Sequence, residues 1–400
     1  MSSSQRENYL KNSKRQRREN IGNKNYKNNN LSKSEEEIIN VGKPDPIIFV
    51  SLIILVMLGV IMVFSASYYV AKVKYDDIYY YFTKQARFAI LGFMALPIII
   101  KINWNIYKKF SFIFYLISCF FLLLVLAIGI EDNGAKRWLG IGSLTFQPSE
   151  LGKVGLIMFL AKYLSDDEKI LDTWLGFFKC CFIIAIPTCL TGIENTSTAI
   201  IMGIIGMCML FVASPTIIYF IPFVGVGIAG IASIIIWGDA FRMARVQAWL
   251  DPFAEEVIKN TGYQIVQSLY AIASGGIFGL GIGQSRQKLG FIPEAQNDII
   301  FSIICEELGV VGASIFIILF AMIIFRGYLL AIHSPKSYMS YTIIGIISMI
   351  AVQVIINIAV ATNTMPNTGI PLPFISYGGT SLLIMIGCTG LVLNFSRYFK

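Results

Sequence analysis

Long apolar runs recur along almost the whole chain, and they constrain its fold more than any other feature. Each run has about 17 to 25 residues, the length that a helix needs to cross the hydrocarbon core of a bilayer. Only 14% of the 400 residues are charged, which is about half of the fraction usual in soluble proteins. We therefore predict an all-α polytopic membrane protein with about ten transmembrane helices, at residues 46–70, 82–101, 107–130, 147–164, 172–191, 196–213, 216–238, 299–327, 338–362 and 374–396.

Two polar segments stand outside this pattern. Residues 1–45 are rich in Asn, Lys and Ser and predict a disordered tail, for which we expect no binding of nucleic acid. Residues 46–400 form the membrane domain, and within it residues 239–297 predict a large loop between the seventh and eighth spans. Lys and Arg residues outside the spans are concentrated on the side of the tail. The positive-inside rule therefore predicts that both termini are cytoplasmic and that the large loop is extracytoplasmic.

Cysteine and histidine, the residues that most often bind zinc, are placed unfavourably for that role. All seven cysteines lie in predicted spans, and the single histidine, His333, lies in a loop on the cytoplasmic side. None of them has the spacing of metal ligands. The sequence therefore excludes a zinc site, and it excludes a Ser-His-Asp triad as well.

A polar segment with two carboxylates ends the large loop and leads directly into the eighth span. It contains Glu294 and, four residues later, Asp298. A carboxylate at the boundary between water and lipid is costly to place there and usually has a function. Asp298 could deprotonate a hydroxyl group, or it could bind a cation beside a lipid headgroup.

Basic residues accompany this segment at the predicted outer surface. Lys136, Arg137 and the adjacent Trp138 are either anchors in the lipid headgroup layer or ligands for a sugar diphosphate. Arg242 and Arg245 are about one helical turn apart, so both guanidinium groups could bind one phosphate group. Alternatively, the two arginines lie in the anionic headgroup layer.

Three further polar residues belong to the same large loop. Gln267 and Ser268 follow one another after the arginines, and Lys288 adds a positive charge shortly before the acidic segment. All three lie between the basic residues and the acidic segment along the chain. We include them in the set of candidate substrate ligands.

Charged residues also lie inside predicted spans. Glu150 and Lys153 are three residues apart, close enough to pair on one face of a helix. They form either an ion pair that fixes helix packing or, through Lys153, a cation for a leaving diphosphate. Glu306 and Glu307 lie two turns into the eighth span and must be paired, protonated or facing a polar cavity. Lys153 is their candidate partner.

A segment rich in proline and glycine, residues 366–381, cannot continue a helix. Irregular backbone at membrane depth is tolerated only where it is buried in protein or lines a cavity. We therefore predict a re-entrant or interfacial loop that flanks the outer site and contains Ser376 and Tyr377. Gln353 and Asn357, four residues apart in the ninth span, could line the same cavity.

Taken together, these motifs resemble those of the SEDS family (shape, elongation, division and sporulation), and more closely its FtsW/SpoVE branch than RodA. The resemblance extends from about residue 46 to the C-terminus. It departs from the family at Gln296-Asn297, where His-Thr is common, and at Ile299. The motifs that carry it are Gly-Ala-Lys-Arg-Trp-Leu, Gln-Pro-Ser-Glu-Leu-Gly-Lys, Trp-Leu-Asp-Pro, Pro-Glu-Ala-x-x-Asp, Glu-Glu-Leu-Gly and Thr-Gly-Ile-Pro-Leu-Pro-Phe-Ile-Ser-Tyr-Gly-Gly.

The resemblance implies a peptidoglycan glycosyltransferase of the bacterial cytoplasmic membrane that polymerises lipid II for division or sporulation. Asp298 would be its catalytic base, and a divalent cation, Mg²⁺ or Mn²⁺, is a candidate cofactor. Implied partners are lipid II, undecaprenyl-linked glycan, a class B penicillin-binding protein and other division proteins. The candidate substrate-binding residues are Lys136, Arg137, Trp138, Lys153, Arg242, Arg245, Gln267, Ser268, Lys288, Glu294, Ser376 and Tyr377; Glu150, Glu306, Glu307 and Asn357 are expected to be structural.

A flippase of lipid-linked precursor is the alternative. Many spans, intramembrane charges and a helix broken by Pro and Gly suit alternating access as well. A flippase needs a polar path through the full depth of the membrane, whereas a polymerase needs only an outward site. The dense polar clusters fall near the predicted outer side, which favours the polymerase.

Overall fold

The computed structural model describes residues 42–132, 135–141, 144–222, 225, 240–258 and 262–399. The predicted tail up to residue 41 and most of the seventh predicted span lie outside these residues. Within them the α-helices are α1 (Pro46–Tyr75), α2 (Tyr80–Lys101), α3 (Trp104–Ile128), α4 (Pro148–Asp166), α5 (Trp174–Gly192), α6 (Thr196–Ala213), α7 (Ala240–Leu250), α8 (Glu255–Ile258), α9 (Tyr263–Gly275), α10 (Ile300–Ile332), α11 (Ser337–Ala361) and α12 (Gly379–Ser396).

Eight helices among the described residues are long and apolar enough to cross a membrane, namely α1, α2, α3, α5, α6, α10, α11 and α12. The prediction of an all-α polytopic membrane protein is confirmed. Helix α4, with 19 residues, has the length of a span but carries the charged pair Glu150 and Lys153. It packs against α3 and α11, inside the bundle. The exact number of spans stays a prediction.

The ends of several spans are set by local capping. Asp45 precedes α1, and its Oδ1 accepts hydrogen bonds from the main-chain N–H groups of Ile47 and Ile48, each at 3.0 Å. Its Oδ2 pairs with Nε of Arg326 at 2.7 Å. A carboxylate at this position satisfies donors that the helix leaves unpaired. Asp45 thus joins the start of α1 to the last part of α10.

Among the described residues, one end of the bundle carries residues 76–79, 130–132, 135–141, 144–147, 193–195 and 276–299. We call it the outer end because the sequence predicts that it faces outside. It contains a small sheet that the sequence does not predict. Strands β1 (Ile130–Asp132), β2 (Ala135–Ile141) and β3 (Leu144–Phe146) pair antiparallel in the order β1-β2-β3. Ile130 pairs with Trp138, and Leu139 pairs with Phe146. Two of the strands have only three residues, too few to show an alternating pattern.

The segment between α11 and α12 is non-helical, as predicted. It packs into the protein through Ile370, Leu372, Phe374 and Ile375, all of which are buried. Its backbone passes so close to α1 that a Cβ atom built on Gly59 would lie 2.4 Å from the carbonyl oxygen of Phe374. Only glycine permits this approach. The segment therefore lies beside α1. Near its end, the main-chain N–H of Tyr377 donates to the carbonyl oxygen of Gln296 at 2.8 Å, just before the start of α10.

The region predicted as a large loop, residues 239–297, contains the helices α7, α8 and α9 in its described part. Helix α9 packs against α10 along much of its length. The remainder, from residue 276 to residue 299, consists of turns. This arrangement brings Asp298 to the outer end of α10, immediately before that helix begins.

Candidate active site

Asp298 lies two residues before α10, at the outer end of the bundle. Its main-chain carbonyl accepts a hydrogen bond of 2.6 Å from Nδ2 of Asn357, on α11. The same amide donates to the carbonyl oxygen of Ile370 at 2.7 Å. Asn357, predicted to line the cavity, thus connects Asp298 with the segment between α11 and α12.

The carboxylate of Asp298 lies in a partly buried place next to that segment. Burial raises the pKa of Asp298, the carboxylate of Glu294 raises it further, and the guanidinium group of Arg245 lowers it. A Cβ atom on Gly369, whose φ is +65°, would lie 3.6 Å from Oδ2 of Asp298. A carboxylate whose pKa is raised by desolvation is a better proton acceptor than an ordinary surface carboxylate.

Arg245 carries a guanidinium group, which is well suited to bind a diphosphate. Its Nη1 donates to the carbonyl oxygen of Asn367 at 3.3 Å, and the Asn367 amide donates to Oε1 of Gln264 at 3.2 Å. Burial lowers the pKa of Arg245, and so does the nearby Arg137, whereas Asp298 raises it. Arg245 therefore lies near both the Asp298 carboxylate and the guanidinium group of Arg137.

The strand β2 carries Lys136, Arg137 and Trp138, and Glu194 holds it in place. The main-chain N–H of Lys136 donates to Oε2 of Glu194 at 2.9 Å. Nε of Arg137 donates to the carbonyl oxygen of the same glutamate at 3.2 Å. A small cavity lies here, lined in part by Lys136, Arg137, Ser149 and Glu194. Glu194 is not among the residues predicted for the site, because nothing in the sequence places it against β2.

Glu294 and Tyr377 belong to two further segments near Asp298. Glu294 is exposed, has a φ of +50°, and accepts a hydrogen bond of 2.8 Å from Nδ2 of Asn297. The main-chain N–H of Tyr377 donates to the carbonyl oxygen of Gln296 at 2.8 Å. Oγ of Ser376 accepts from the N–H of Leu372 at 2.7 Å, within its own segment. Ser376 therefore shapes this segment and is buried.

Lys153 lies in the interior of the bundle. Its Nζ pairs with Oε1 of Glu150 at 2.8 Å, and the lysine side chain is only 1% exposed. Oε2 of Glu150 and the hydroxyl group of Ser149 have no hydrogen-bond partner among the described residues. The geometry agrees with the prediction that Glu150 and Lys153 pair. Among the described residues, the ion pair of Lys153 is with Glu150 and does not reach Asp298.

The partner predicted for the adjacent glutamates of the eighth span is wrong. Glu307 pairs with Nζ of Lys288 at 2.6 Å, and neither side chain is exposed. Glu306 accepts hydrogen bonds from the hydroxyl group of Ser285 and from the main-chain N–H of Arg286. Lys288 was predicted as a substrate ligand. In the structure its side chain is buried and its charge is paired with Glu307, so it is not exposed to a ligand.

Three other candidates, Ser268, Gln267 and Arg242, belong to the same outer region. The hydroxyl group of Ser268 is buried and bonds to the hydroxyl group of Ser302 and to the carbonyl oxygen of Ala361. It therefore joins α9, α10 and α11 and does not face a ligand. Gln267 is half-buried beside it. The side chain of Arg242, on α7, lies outside the described residues, so its role stays a prediction.

The candidate divalent cation has a limited set of protein ligands. Among the described residues, no group of three or more His, Cys, Asp or Glu side chains could hold a metal ion. Mg²⁺ is commonly bound by one or two carboxylates together with phosphate oxygens of the substrate. Glu294, an exposed carboxylate near Asp298, fits that simpler ligand set. The cation therefore stays a proposal.

Comparison with known proteins gives consistent results along the chain. Residues 46–400 match the family of FtsW, RodA and SpoVE proteins, described as "Cell cycle protein". Stage V sporulation protein E of Bacillus subtilis is 39% identical over 368 residues, which cover 89% of this chain and 98% of that protein. A probable peptidoglycan glycosyltransferase FtsW from Geobacter sp. is 34% identical over 362 residues, covering 89% and 97%.

Two solved structures have the same fold. One is a chain from a peptidoglycan synthase complex that coordinates polymerization and crosslinking, with a TM-score of 0.74, 24% identity, and coverage of 88% of this chain and 98% of that chain. The other is the rod shape determining protein RodA of Thermus thermophilus, with a TM-score of 0.65, 25% identity, and coverage of 88% and 97%. The chain thus belongs to the FtsW/RodA/SpoVE family, in its FtsW/SpoVE-like part.

Proposed function

We propose that this protein polymerises lipid II into glycan strands at the outer surface of the bacterial cytoplasmic membrane, with Asp298 as the general base. Its family and its relatives make the chain a membrane-bound peptidoglycan glycosyltransferase of cell division or sporulation. The role of Asp298 is supported chiefly by its environment, a desolvated carboxylate at the outer end of α10 near Arg245.

The reaction joins a hydroxyl group of one lipid-linked saccharide to the anomeric carbon of another. Asp298 would accept the hydroxyl proton while the new C–O bond forms. The bond between the anomeric carbon and the diphosphate breaks, and the prenyl diphosphate leaves with the electron pair. Because a diphosphate is already a good leaving group, no second carboxyl group has to protonate it, in contrast with glycosidases.

Positive charge beside the base would stabilise the departing diphosphate. Arg137 and Asp298 both lie near enough to Arg245 to change its pKa, which Arg137 lowers and Asp298 raises. Preorganised donors aimed at developing negative charge are among the largest contributions to catalysis. A divalent cation held by the diphosphate, with the carboxylate of Glu294 nearby, would supply further positive charge when bound.

The proposal extends to orientation and partners. Asp298, the β-sheet and the segment between α11 and α12 lie at the outer end, where lipid II would be used, and both termini would be cytoplasmic. One structural relative belongs to a complex that couples polymerization with crosslinking. We therefore propose a class B penicillin-binding protein as the partner and other division proteins as neighbours.

A flippase would require charged groups along a continuous polar path. The buried lysines Lys153 and Lys288 are instead each paired with a glutamate inside the protein. Two charges that neutralise each other in the interior offer little to a passing diphosphate. The geometry and the relatives therefore favour the polymerase.

The test is polymerisation of labelled lipid II by the purified protein together with its cognate penicillin-binding protein. Asp298→Asn preserves the shape and removes the base, so glycan synthesis should fall by about 10²–10⁴-fold, the usual contribution of a general base. Glu131→Gln, which neutralises an exposed carboxylate on β1, is the matched control and should behave like the parent. Substantial glycan synthesis by Asp298→Asn would remove Asp298 from the mechanism.

A further inference from the structure

Helix α10 is interrupted nine residues after its start, and a segment of the outer region fills the interruption. Gly309 has a φ of +68°, which no helix accommodates. A Cβ atom on Gly309 would lie 2.4 Å from the main-chain nitrogen of Gly279, so both backbones meet without side chains between them. Main-chain hydrogen bonds cross the gap from Leu280 to Glu306, from Gly281 to Glu307, from Val310 to Gly276 and from Val311 to Ile277.

The side chains of Glu306 and Glu307, just before the interruption, also bind residues of the outer region. Glu307 pairs with Lys288 at 2.6 Å, and both side chains are fully buried. The hydroxyl group of Ser65, on α1, donates to Glu307 at 2.7 Å and accepts from Nζ of Lys288 at 3.0 Å. Glu306 accepts a hydrogen bond from the hydroxyl group of Ser285. Every charge in this cluster therefore has a partner within the protein.

A buried ion pair is seldom retained because it stabilises a protein, since desolvation of the two charges offsets their attraction. Its better-supported use is to select one arrangement of the chain. Lys288 stands ten residues before Asp298 and Glu307 stands nine residues after it. The ion pair therefore closes a loop of the chain whose midpoint is the carboxylate proposed as the base.

We propose that Lys288 and Glu307 are positioning residues for Asp298. By closing this loop across the interruption of α10, they hold the Asp298 carboxylate in its place beside Arg245 and the segment between α11 and α12. Both side chains are fully buried, so we expect neither of them to contact substrate. This inference rests on the proposed function of Asp298 as the base.

The test uses the double variant Lys288→Met with Glu307→Leu in the full-length protein. Replacing both members of a buried ion pair with apolar residues of similar size is often neutral for stability, whereas removing one member is not. We expect the double variant to keep the thermal stability of the parent and its KM for lipid II. Its kcat should fall by about 10²-fold, the effect of a displacement of about 1 Å in a catalytic group.

A pH profile distinguishes positioning from general structural support. The charged groups that act on Asp298 are Glu294 and Arg245, and burial is the largest influence. When the loop is no longer closed, Asp298 should become more hydrated, and the acid limb of the kcat profile should move to lower pH. Glu307→Asp, which keeps the charge but shortens the side chain by one methylene group, serves if the double variant does not fold; it too should lower kcat with KM unchanged.

Arg326→Gln is the matched control, because it breaks the ion pair with Asp45 at the other end of the same helix. It should leave kcat and the pH profile unchanged. A parental kcat and pH profile in the double variant, or in Glu307→Asp if only that variant folds, would overturn the positioning role. Asp298→Asn is assayed in parallel: its activity would contradict the proposed function, whereas an inactive Asp298→Asn beside a fully active double variant contradicts the positioning alone.

Discussion

The side-chain amide of Asn357 donates both to the carbonyl oxygen of Asp298 at 2.6 Å and to that of Ile370 at 2.7 Å. One buried amide on α11 therefore joins the start of α10 to the segment that follows α11. The hydrogen bond to Ile370 is buried and the one to Asp298 is partly buried, so water does not readily replace the lost donor at Ile370. The position of Asp298 thus depends on a residue in another span.

Asn357→Asp should weaken both the fold and the activity. An ionised carboxylate cannot donate, so the carbonyl groups of Asp298 and Ile370 would lose their common partner. An unsatisfied buried polar group costs about 1–3 kcal/mol, and the melting temperature in detergent should fall together with kcat. Asn363→Asp, two residues after the end of α11, removes a single donor, the one to the carbonyl oxygen of Trp249. It is the control and should have a smaller effect. Parental stability and activity in Asn357→Asp would contradict the proposed connection.

The pH dependence of polymerisation should respond to the charges around Asp298. The base must be deprotonated, so activity should rise with pH through the pKa of Asp298, which burial raises above its ordinary value. Glu294→Gln removes a negative charge, lowers this pKa and should move the acid limb to lower pH. Arg245→Gln removes a positive charge and should move the limb to higher pH. Profiles of kcat/KM against pH measure both shifts, and unchanged limbs in both variants would exclude Asp298 as the titrating group.

The pair of Glu150 and Lys153 separates packing from substrate binding. Lys153→Met leaves a buried carboxylate without its partner and should cost about 3–5 kcal/mol of stability. The double variant Lys153→Met with Glu150→Leu should recover the melting temperature. If the double variant is also active, the pair serves packing alone; if it is stable and inactive, Lys153 serves the substrate. A double variant as unstable as the single one would contradict the pairing.

Arg245 should act on the diphosphate through its guanidinium group and not only through its charge. Arg245→Lys keeps the charge but loses the planar set of donors, and Arg245→Ala loses both. We expect kcat/KM for lipid II to fall by about 10-fold or more in Arg245→Ala, as for other charge-assisted hydrogen bonds, and by less in Arg245→Lys.

The matched control for Arg245 is Arg286→Ala. Arg286 has an exposed side chain, and its main-chain hydrogen bond to Glu306 survives the substitution. Its variant should polymerise normally. Both experiments are done in detergent, where no anionic bilayer surface remains. Near-parental activity of Arg245→Ala there would assign this arginine to headgroup binding.

Features that depend on local sequence were predictable from the chain alone. The apolar runs determine where the spans lie, because only a helix satisfies its own backbone in lipid. The acidic segment before the eighth span indicates Asp298, because a carboxylate at the boundary between water and lipid is costly and usually has a function. Glu150 and Lys153 could be paired from their spacing on one helix. The family followed from motifs in order along the chain, and the comparisons confirm it.

Features that depend on distant parts of the chain came only from the tertiary structure. The sequence favoured Lys153 as the partner of Glu306 and Glu307, whereas packing places Lys288 beside Glu307. Glu194 could not be selected before β2 was seen against the end of α5, and Asn357 could not be assigned to Asp298 before α11 lay beside α10. Sequence determines which charges must be compensated in a membrane interior, because the cost of burial is local. The choice of partner depends on how the helices pack, which no single segment encodes.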